Sequence, residues 1–277
     1  MAESFLKDNN MKEYVHGYSQ REAERLRDQS VILLNLLQAD TSYAAGSKIL
    51  EAGCGVGAQT VILARKSPQA EFISIDISRD SLNRAKEMID NEGISNVSFQ
   101  QGNIFDTAFK TESFDHIFVC FVLEHLEDPS SALVELKRVL KQGGTITVIE
   151  GDHGSCFWHP ETEESLKVWH SLIKAQINLN HDPLIGRQLY PLLTQAGFKV
   201  KDISPIWVYA DSNNSELLDG VVNKIIVPMT ETAKEQSLKL KLIDESTWNK
   251  GIYDLQITGM PPNGTFFYTW FKGLAIK

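Results

Sequence analysis

The chain has 277 residues, 42% hydrophobic and 23% charged, which is the balance of a globular protein large enough for one sizeable domain. Its 36 acidic residues outnumber 27 Lys and Arg for a formal charge of -9, which argues against broad binding to a nucleic-acid backbone. Cys54, Cys120 and Cys156 form no CxxC pair and meet no zinc-like histidine spacing, so neither a disulfide framework nor a metal site is expected. The opening MAESFLKDNNMKEY lacks an apolar signal segment and no apolar run reaches membrane-spanning length, so the chain reads as cytoplasmic, with no membrane partner.

Helix and strand signals alternate along the chain, as in an α/β protein with a mostly parallel sheet. A first helix is predicted from Ser19, where SQRE offers a capping box with Glu22, and Ala23, Leu26, Leu33 and Leu37 follow at helical spacing. KIL (48–50) is a strand running into the glycine loop, and Ala58 to Arg65 form the next helix. EFISID (71–76) is a second strand, followed by a helix whose core face carries Leu82, Ala85 and Ile89. VSFQQ (97–101) and FDHIFVCF (114–121) are the third and fourth strands. Asp128 as N-cap and Pro129 at the first helical position start a helix that Gly143-Gly144 are expected to stop. TITVIE (145–150) is the fifth strand. Residues 151–181 then interrupt the rhythm. A helix is expected from Asp182-Pro183 to Gly197, FKVKDISPIW (198–207) is a sixth strand, and residues 212–262 make a second interruption. TFFYTWFKGLAI (265–276) closes the sheet. The reading is one domain over residues 1–277 with two insertions.

KILEAGCGVGAQT places Gly53, Gly55 and Gly57 at alternate positions behind the first strand. A phosphate-binding P-loop is excluded, because no Lys-Ser or Lys-Thr follows the last glycine. Gly53, Gly55 and Ala58 do satisfy the dinucleotide pattern GxGxxA, and Asp76 ends the next strand where a ribose binder would stand. Taken alone, these residues leave a nicotinamide cofactor open.

Five blocks in order, EAGCGVG, SID, QGNIFD, ESFDHIFVCFVLEHLEDP and ELKRVLKQGGTITVIE, resemble the class I S-adenosylmethionine-dependent methyltransferases, in their small-molecule branch, and LYPLLTQAGF matches a later helix. The resemblance implies the class I methyltransferase fold: a seven-stranded, mostly parallel sheet with helices on both faces, a final antiparallel strand, and helical cap insertions. Residues 19–150 would be the cofactor-binding half, with 151–181 and 212–262 capping the acceptor site.

For S-adenosyl-L-methionine the resemblance implies specific contacts. The backbone of Gly53, Cys54 and Gly55 would lie against the methionine portion, where a Cβ would collide. Glu51 would position its amino group, Asp76 would accept from both ribose hydroxyls, and Ile77 would pack on the adenine. Asn103 stands where the family usually has Asp and would accept from the adenine amino group, with Ile104 offering its backbone N–H. The backbone carbonyl of Cys120 would meet the amino group, and Tyr14 and Tyr18 would close over the cofactor. His125 is read as a packing and capping residue.

The acceptor is expected to be a small organic molecule. Base-methylating relatives carry an Asn- or Asp-Pro-Pro-Tyr-like motif where this chain has CFVLEH, and arginine methylation needs a pair of acidic residues of which only Glu124 is present. Of the insertion's rings and imidazoles, most of Trp158, Trp169, Trp248 and Tyr253 are expected in the core. His153, at the sheet edge with Glu150 and Asp152, is the candidate catalytic base, with a pKa expected near neutrality. A non-catalytic cofactor-binding module is the alternative.

Overall fold

A computed structural model describes residues 20–260 and 262–277, so the capping box at Ser19 and the roles of Tyr14 and Tyr18 lie outside the described residues. Strands β1 (Lys48–Ala52), β2 (Glu71–Asp76), β3 (Val97–Gln101), β4 (Phe114–Cys120) and β5 (Leu140–Gly151) form the parallel part of one sheet in the order β3-β2-β1-β4-β5. β6 (Phe157–His159) is short, β7 spans Lys199–Asp211, and β8 spans Thr265–Ile276. β8 runs antiparallel to all its neighbours: β5 and then β6 occupy one edge, and β7 the other. The sheet therefore has eight strands, one more than the sequence suggests. The extra one is β6, three residues inside the first insertion and too short for a periodic signal.

The central strands are buried on both faces, and their alternation sorts side chains into two cores. Leu50, Ile117 and Val148 face α5 (Pro129–Val139) and α7 (Leu189–Gln195), while Ile49, Phe118 and Ile149 face the opposite layer. That layer holds α1 (Gln20–Ile32), α2 (Leu34–Leu37), α3 (Ala58–Lys66) and the helices of the insertions, with α4 (Arg79–Asn91) beside β2 and β3.

α5 starts as expected, with Asp128 accepting from the Ser131 amide and Pro129 at the first position. It ends at Val139, however, and β5 runs straight through Gly143 and Gly144. These glycines serve a bend in a strand: Gly143 has φ +75°, and a Cβ on Gly144 would come 2.8 Å from the Asp115 carbonyl oxygen. The helix expected from Asp182 starts later, because Asp182 turns back to accept from the Leu184 amide and the Gln188 side chain, leaving a 3-10 turn over Ile185–Gln188 before α7.

The first insertion holds β6 and α6 (Glu163–Asn178). The second holds α8 (Ser215–Asp219), a π-helical stretch over Gly220–Ile226, α9 (Val227–Glu231), α10 (Lys234–Lys239) and α11 (Glu245–Thr258). α6 and α11 cross closely enough that a Cβ on Gly251 would lie 2.3 Å from the Glu164 carbonyl oxygen, and Thr162 donates to Asp254 at 2.6 Å. Trp158, Trp169 and Trp248 are buried in this layer, whereas Tyr253 is exposed. Both insertions leave the sheet at the carboxyl ends of β5 and β7, so the π-helical stretch and α9 come to lie over that edge beside α1.

Candidate active site

The loop after β1 is tied to β2: the amides of Gly53 and Cys54 both donate to the Ile75 carbonyl oxygen, at 2.8 and 3.0 Å. The three glycines then differ in purpose. At Gly53 (φ +79°) a Cβ would stand 2.4 Å from Val122 Cγ2, and at Gly57 (φ +82°) it would stand 2.9 Å from Ala85 Cβ. Both are glycine because the chain packs against itself there. Only at Gly55 (φ +53°) does a Cβ point into open space, with nothing within 4 Å. At Gly53 the space a Cβ would fill is thus taken by Val122, which by itself accounts for the glycine.

Asp76, at the tip of β2, faces this loop. Its Oδ2 accepts from the Gly55 amide and its Oδ1 from the Ser78 amide, each at 2.8 Å. Burial raises its pKa, opposed by those amide hydrogen bonds. Ser78 caps α4 by accepting from the Ser81 amide, which leaves Asp76 for the loop. Glu51 is buried near the end of β1, and its Oε2 accepts from Thr60 Oγ1 at 2.6 Å and Ser74 Oγ at 2.7 Å. Burial pushes this carboxyl up to about 7 against those two donors.

Ile77 is 45% exposed beside Asp76, a large apolar side chain left uncovered by the protein. Asn103 follows β3 and uses its side-chain oxygen to accept from the Phe105 amide at 3.0 Å, with Ile104 half-buried between them. Cys54 and Cys120 have thiols pushed well up, chiefly by burial, as befits small apolar residues. Phe121, just after Cys120, has φ +58°, and the chain turns there toward Glu124. Glu51, Gly55, Asp76, Ile77, Asn103 and Cys120 thus all lie at the carboxyl ends of neighbouring parallel strands, where α/β sheets bind ligands.

A second feature adjoins this edge: a small pocket, partly open to solvent. Ile225, Ile226 and Met229 of the second insertion form an apolar wall, and Arg25, Glu124, His153 and Tyr268 supply polar groups. Arg187 grips Asp152 through two hydrogen bonds of 2.8 Å, fixing the turn that carries His153. The His153 amide donates to the Pro183 carbonyl, its carbonyl accepts from Trp169 Nε1 at 3.0 Å, and its Nδ1 lies 2.6 Å from Tyr268 Oη. The near-neutral imidazole expected here is not what this setting produces. Burial, then the Arg25 guanidinium, lowers His153 to about 3.

Glu150 holds the opposite side together, its Oε1 accepting from the amides of Val122 and Leu123 at 3.0 and 2.7 Å. Those amides begin the turn that presents Glu124 and His125. Burial raises both Glu150 and Glu124, and each carboxylate adds to the cost of ionising its neighbours. Among the described residues no group of three or more His, Cys, Asp or Glu is arranged to hold a metal ion. Arg25, Tyr268 and Trp270 escaped the sequence reading. The trace of the two aromatics in the sequence is the alternation Phe266, Tyr268, Trp270 along β8, one face of a strand; Arg25, on α1, has none.

A family profile described as a methyltransferase domain matches residues 44–197. The chain belongs to the class I methyltransferase family. This methyltransferase is 31% identical over 240 residues to an uncharacterized methyltransferase of Schizosaccharomyces pombe, covering 80% of the present chain and 81% of the relative. It is 25% identical over 135 residues to the demethylmenaquinone methyltransferase of Bacillus subtilis, covering 48% and 55% of the two chains. Among solved structures, the phosphoethanolamine N-methyltransferase 2 of Haemonchus contortus shares the methyltransferase fold, with a TM-score of 0.53 at 17% identity over 90% of this chain and 53% of that one. That enzyme was crystallised with S-adenosylhomocysteine and phosphomonomethylethanolamine, and separately with S-adenosyl-L-methionine.

Proposed function

We propose that this methyltransferase binds S-adenosyl-L-methionine in front of the loop at Gly55 and passes its methyl group to a small organic acceptor in the adjoining cavity. The observation that carries the reading is the pair Asp76 and Gly55: a half-buried carboxylate locked by two amides, beside the one loop glycine whose Cβ direction is empty. The residues fit the cofactor. Each Asp76 oxygen takes one amide and keeps a lone pair for a ribose hydroxyl, and Glu51 takes both its protein donors on Oε2, keeping Oε1 for an ammonium. Ile77 offers exposed apolar surface to the adenine, and Asn103 and Ile104 stand at the next strand end. When bound, S-adenosyl-L-methionine supplies a methyl group already activated by its sulfonium.

What remains for the protein is alignment and exclusion of water, and well-aligned intramolecular reactions gain about 7–11 kcal/mol. The insertions over residues 151–181 and 212–262 serve as the cap that encloses the acceptor, within a single domain. The relatives named for small acceptors, menaquinone precursors and phosphoethanolamine, support a small molecule here. We place the reaction in the cytoplasm, in keeping with the chain's charge of -9 and its free cysteines.

Calorimetry with S-adenosyl-L-methionine, its demethylated product and NAD tests the cofactor: the first two are expected to bind and NAD is not. Binding of NAD alone would overturn the assignment. Incubating metabolite extracts with methyl-labelled S-adenosyl-L-methionine then tests turnover, and binding without label transfer to any small molecule would point to a regulatory module.

A further inference from the structure

Two polar atoms on the cavity wall stand apart from the rest. His153 Nε2 and Glu124 Oε2 are both buried and lie 3.9 Å from each other; neither makes a hydrogen bond of ordinary geometry with a described residue, although the Gln176 side chain lies beside the Glu124 carboxyl and favours its charged form. That separation is too long for a direct hydrogen bond, yet one oxygen atom at about 2.8 Å from each would join them. Buried polar groups are rarely left unsatisfied without a reason, and both residues line the cavity proposed for the acceptor.

The protonation pattern is set by Tyr268. Tyr268 Oη accepts from the Asp152 amide, and His153 Nδ1, 2.6 Å away, is the acceptor beside it among the described residues; with the phenol proton placed there, the neutral ring carries its own proton on Nε2. The imidazole therefore offers a donor at Nε2, and Glu124 Oε2 offers an acceptor. An atom between them must accept one hydrogen bond, donate another, and keep a lone pair free to attack. A hydroxyl oxygen meets all three demands. A neutral amine nitrogen would spend its single lone pair on the imidazole, and a thiol is a weak acceptor.

We propose that the acceptor is a hydroxyl compound bound with its oxygen between His153 Nε2 and Glu124 Oε2, and that Glu124 is the base that removes its proton. This rests on the cavity being the acceptor site of the methyl transfer proposed above. The acceptor's O–H bond breaks, the proton passes to Glu124 Oε2, and the electron pair stays on oxygen to form the bond to the methyl carbon as the carbon–sulfur bond opens. His153 then holds the oxygen and Tyr268 holds the tautomer, as a positioning residue. The groups facing Glu124 are Arg25 and Glu22 from α1, Asp182 before α7, Glu150 and His153 from the end of β5 and the turn after it, Tyr268 from β8, and its neighbour His125 at 3.4 Å. Burial, with Asp182 and Glu22 adding to it, outweighs the Arg25 charge and the Gln176 side chain, so the carboxyl is pushed up to about 7, where a base working near neutrality is effective.

Matched aromatic probes test this on the whole chain. Without cofactor, 2-naphthol is expected to bind more tightly than 2-naphthylamine, and Glu124→Gln and His153→Phe are each expected to weaken naphthol binding about tenfold, with little effect on the amine. Infrared spectra should show a protonated carboxyl band that titrates with pH, shifts on adding naphthol, and is missing in Glu124→Gln. With S-adenosyl-L-methionine added, kcat/KM for naphthol should rise with pH, and Glu124→Gln should remove that limb and about 10²–10⁴-fold of the rate. Tyr268→Phe should lower kcat and leave the pH limb in place. No preference for the hydroxyl probe, or a pH limb that survives in Glu124→Gln or vanishes only with His153, overturns the proposal. Failure of S-adenosyl-L-methionine to bind the wild type would instead overturn the methyl-transfer reading, and the probe-binding results would still be readable.

Discussion

Replacing Gly53 and Gly55 by alanine separates a glycine needed for folding from one needed for binding. At position 53 the new methyl would lie 2.4 Å from Val122 Cγ2 and 3.0 Å from Cγ1, on a backbone with φ +79°. The left-handed backbone costs a residue with a Cβ about 1–2 kcal/mol, and forcing a methyl into packed surroundings costs about 1–3 kcal/mol, so Gly53→Ala should lose about 2–5 kcal/mol. Gly55→Ala has the backbone penalty and no clash, so it should lose only about 1–2 kcal/mol. Urea unfolding midpoints at constant m-value measure both. Adding Val122→Ala to Gly53→Ala removes the clash but not the backbone strain, and the double-mutant cycle should show a favourable coupling of about 1–3 kcal/mol. Calorimetry should show the reverse order for S-adenosylhomocysteine, with Gly55→Ala losing about tenfold or more in affinity. Equal destabilisation by the two alanines, or no coupling with Val122, would refute this division of labour.

Asp76→Ala should weaken S-adenosyl-L-methionine about ten- to hundredfold, the equivalent of about 1.5–3 kcal/mol for a lost charged acceptor. Because Asp76 also holds the Gly55 and Ser78 amides, the same variant should melt earlier, which binding and thermal unfolding together will show. Asn103→Asp should keep or improve cofactor affinity in calorimetry. Glu51 holds its proton more tightly folded, at about 7, than at its reference value of 4.5, so stability is highest below the lower value and falls as pH rises to the upper one. Glu51→Gln should flatten that fall by about 3 kcal/mol in denaturant titrations across the window, while weakening the cofactor. Gly251→Ala presses on the Glu164 carbonyl and should loosen the cap, raising the acceptor KM and leaving cofactor affinity unchanged.

The five parallel strands and the glycine loop were legible because their signals are local. Ile49 beside Leu50 and Ile117 beside Phe118 report burial on two faces, and Asp128-Pro129 marks a helix start by cap chemistry alone. Gly143-Gly144 misled because a glycine pair that stops a helix and one that lets a strand bend read the same until the partner strand, here at Asp115, is known. The packing reason for Gly53 was equally illegible, since Val122 is its neighbour only in space. The cavity's polar groups were the least legible. Arg25, Glu124, His153 and Tyr268 come from four separate elements, and the burial that lowers His153 and raises Glu124 belongs to the assembled site and to no one segment.

β8 lies between β5 and β7, yet it emerges from the ribosome after every other strand. Until residues 265–276 exist, β7 has no strand partner among the described residues, and the edge of β5 that carries Ile146 and Val148 stays unpaired. Bare edges of this kind invite wrong pairing, so the nascent chain is most exposed to aggregation until β8 has been made and paired. Pairing across this distance is also slow, because the loop must close before any hydrogen bond forms. Since β8 brings Tyr268 and Trp270 with it, a chain without these residues has no wall behind His153. The pocket beside His153 is therefore complete only once the last-made strand of this sheet has paired.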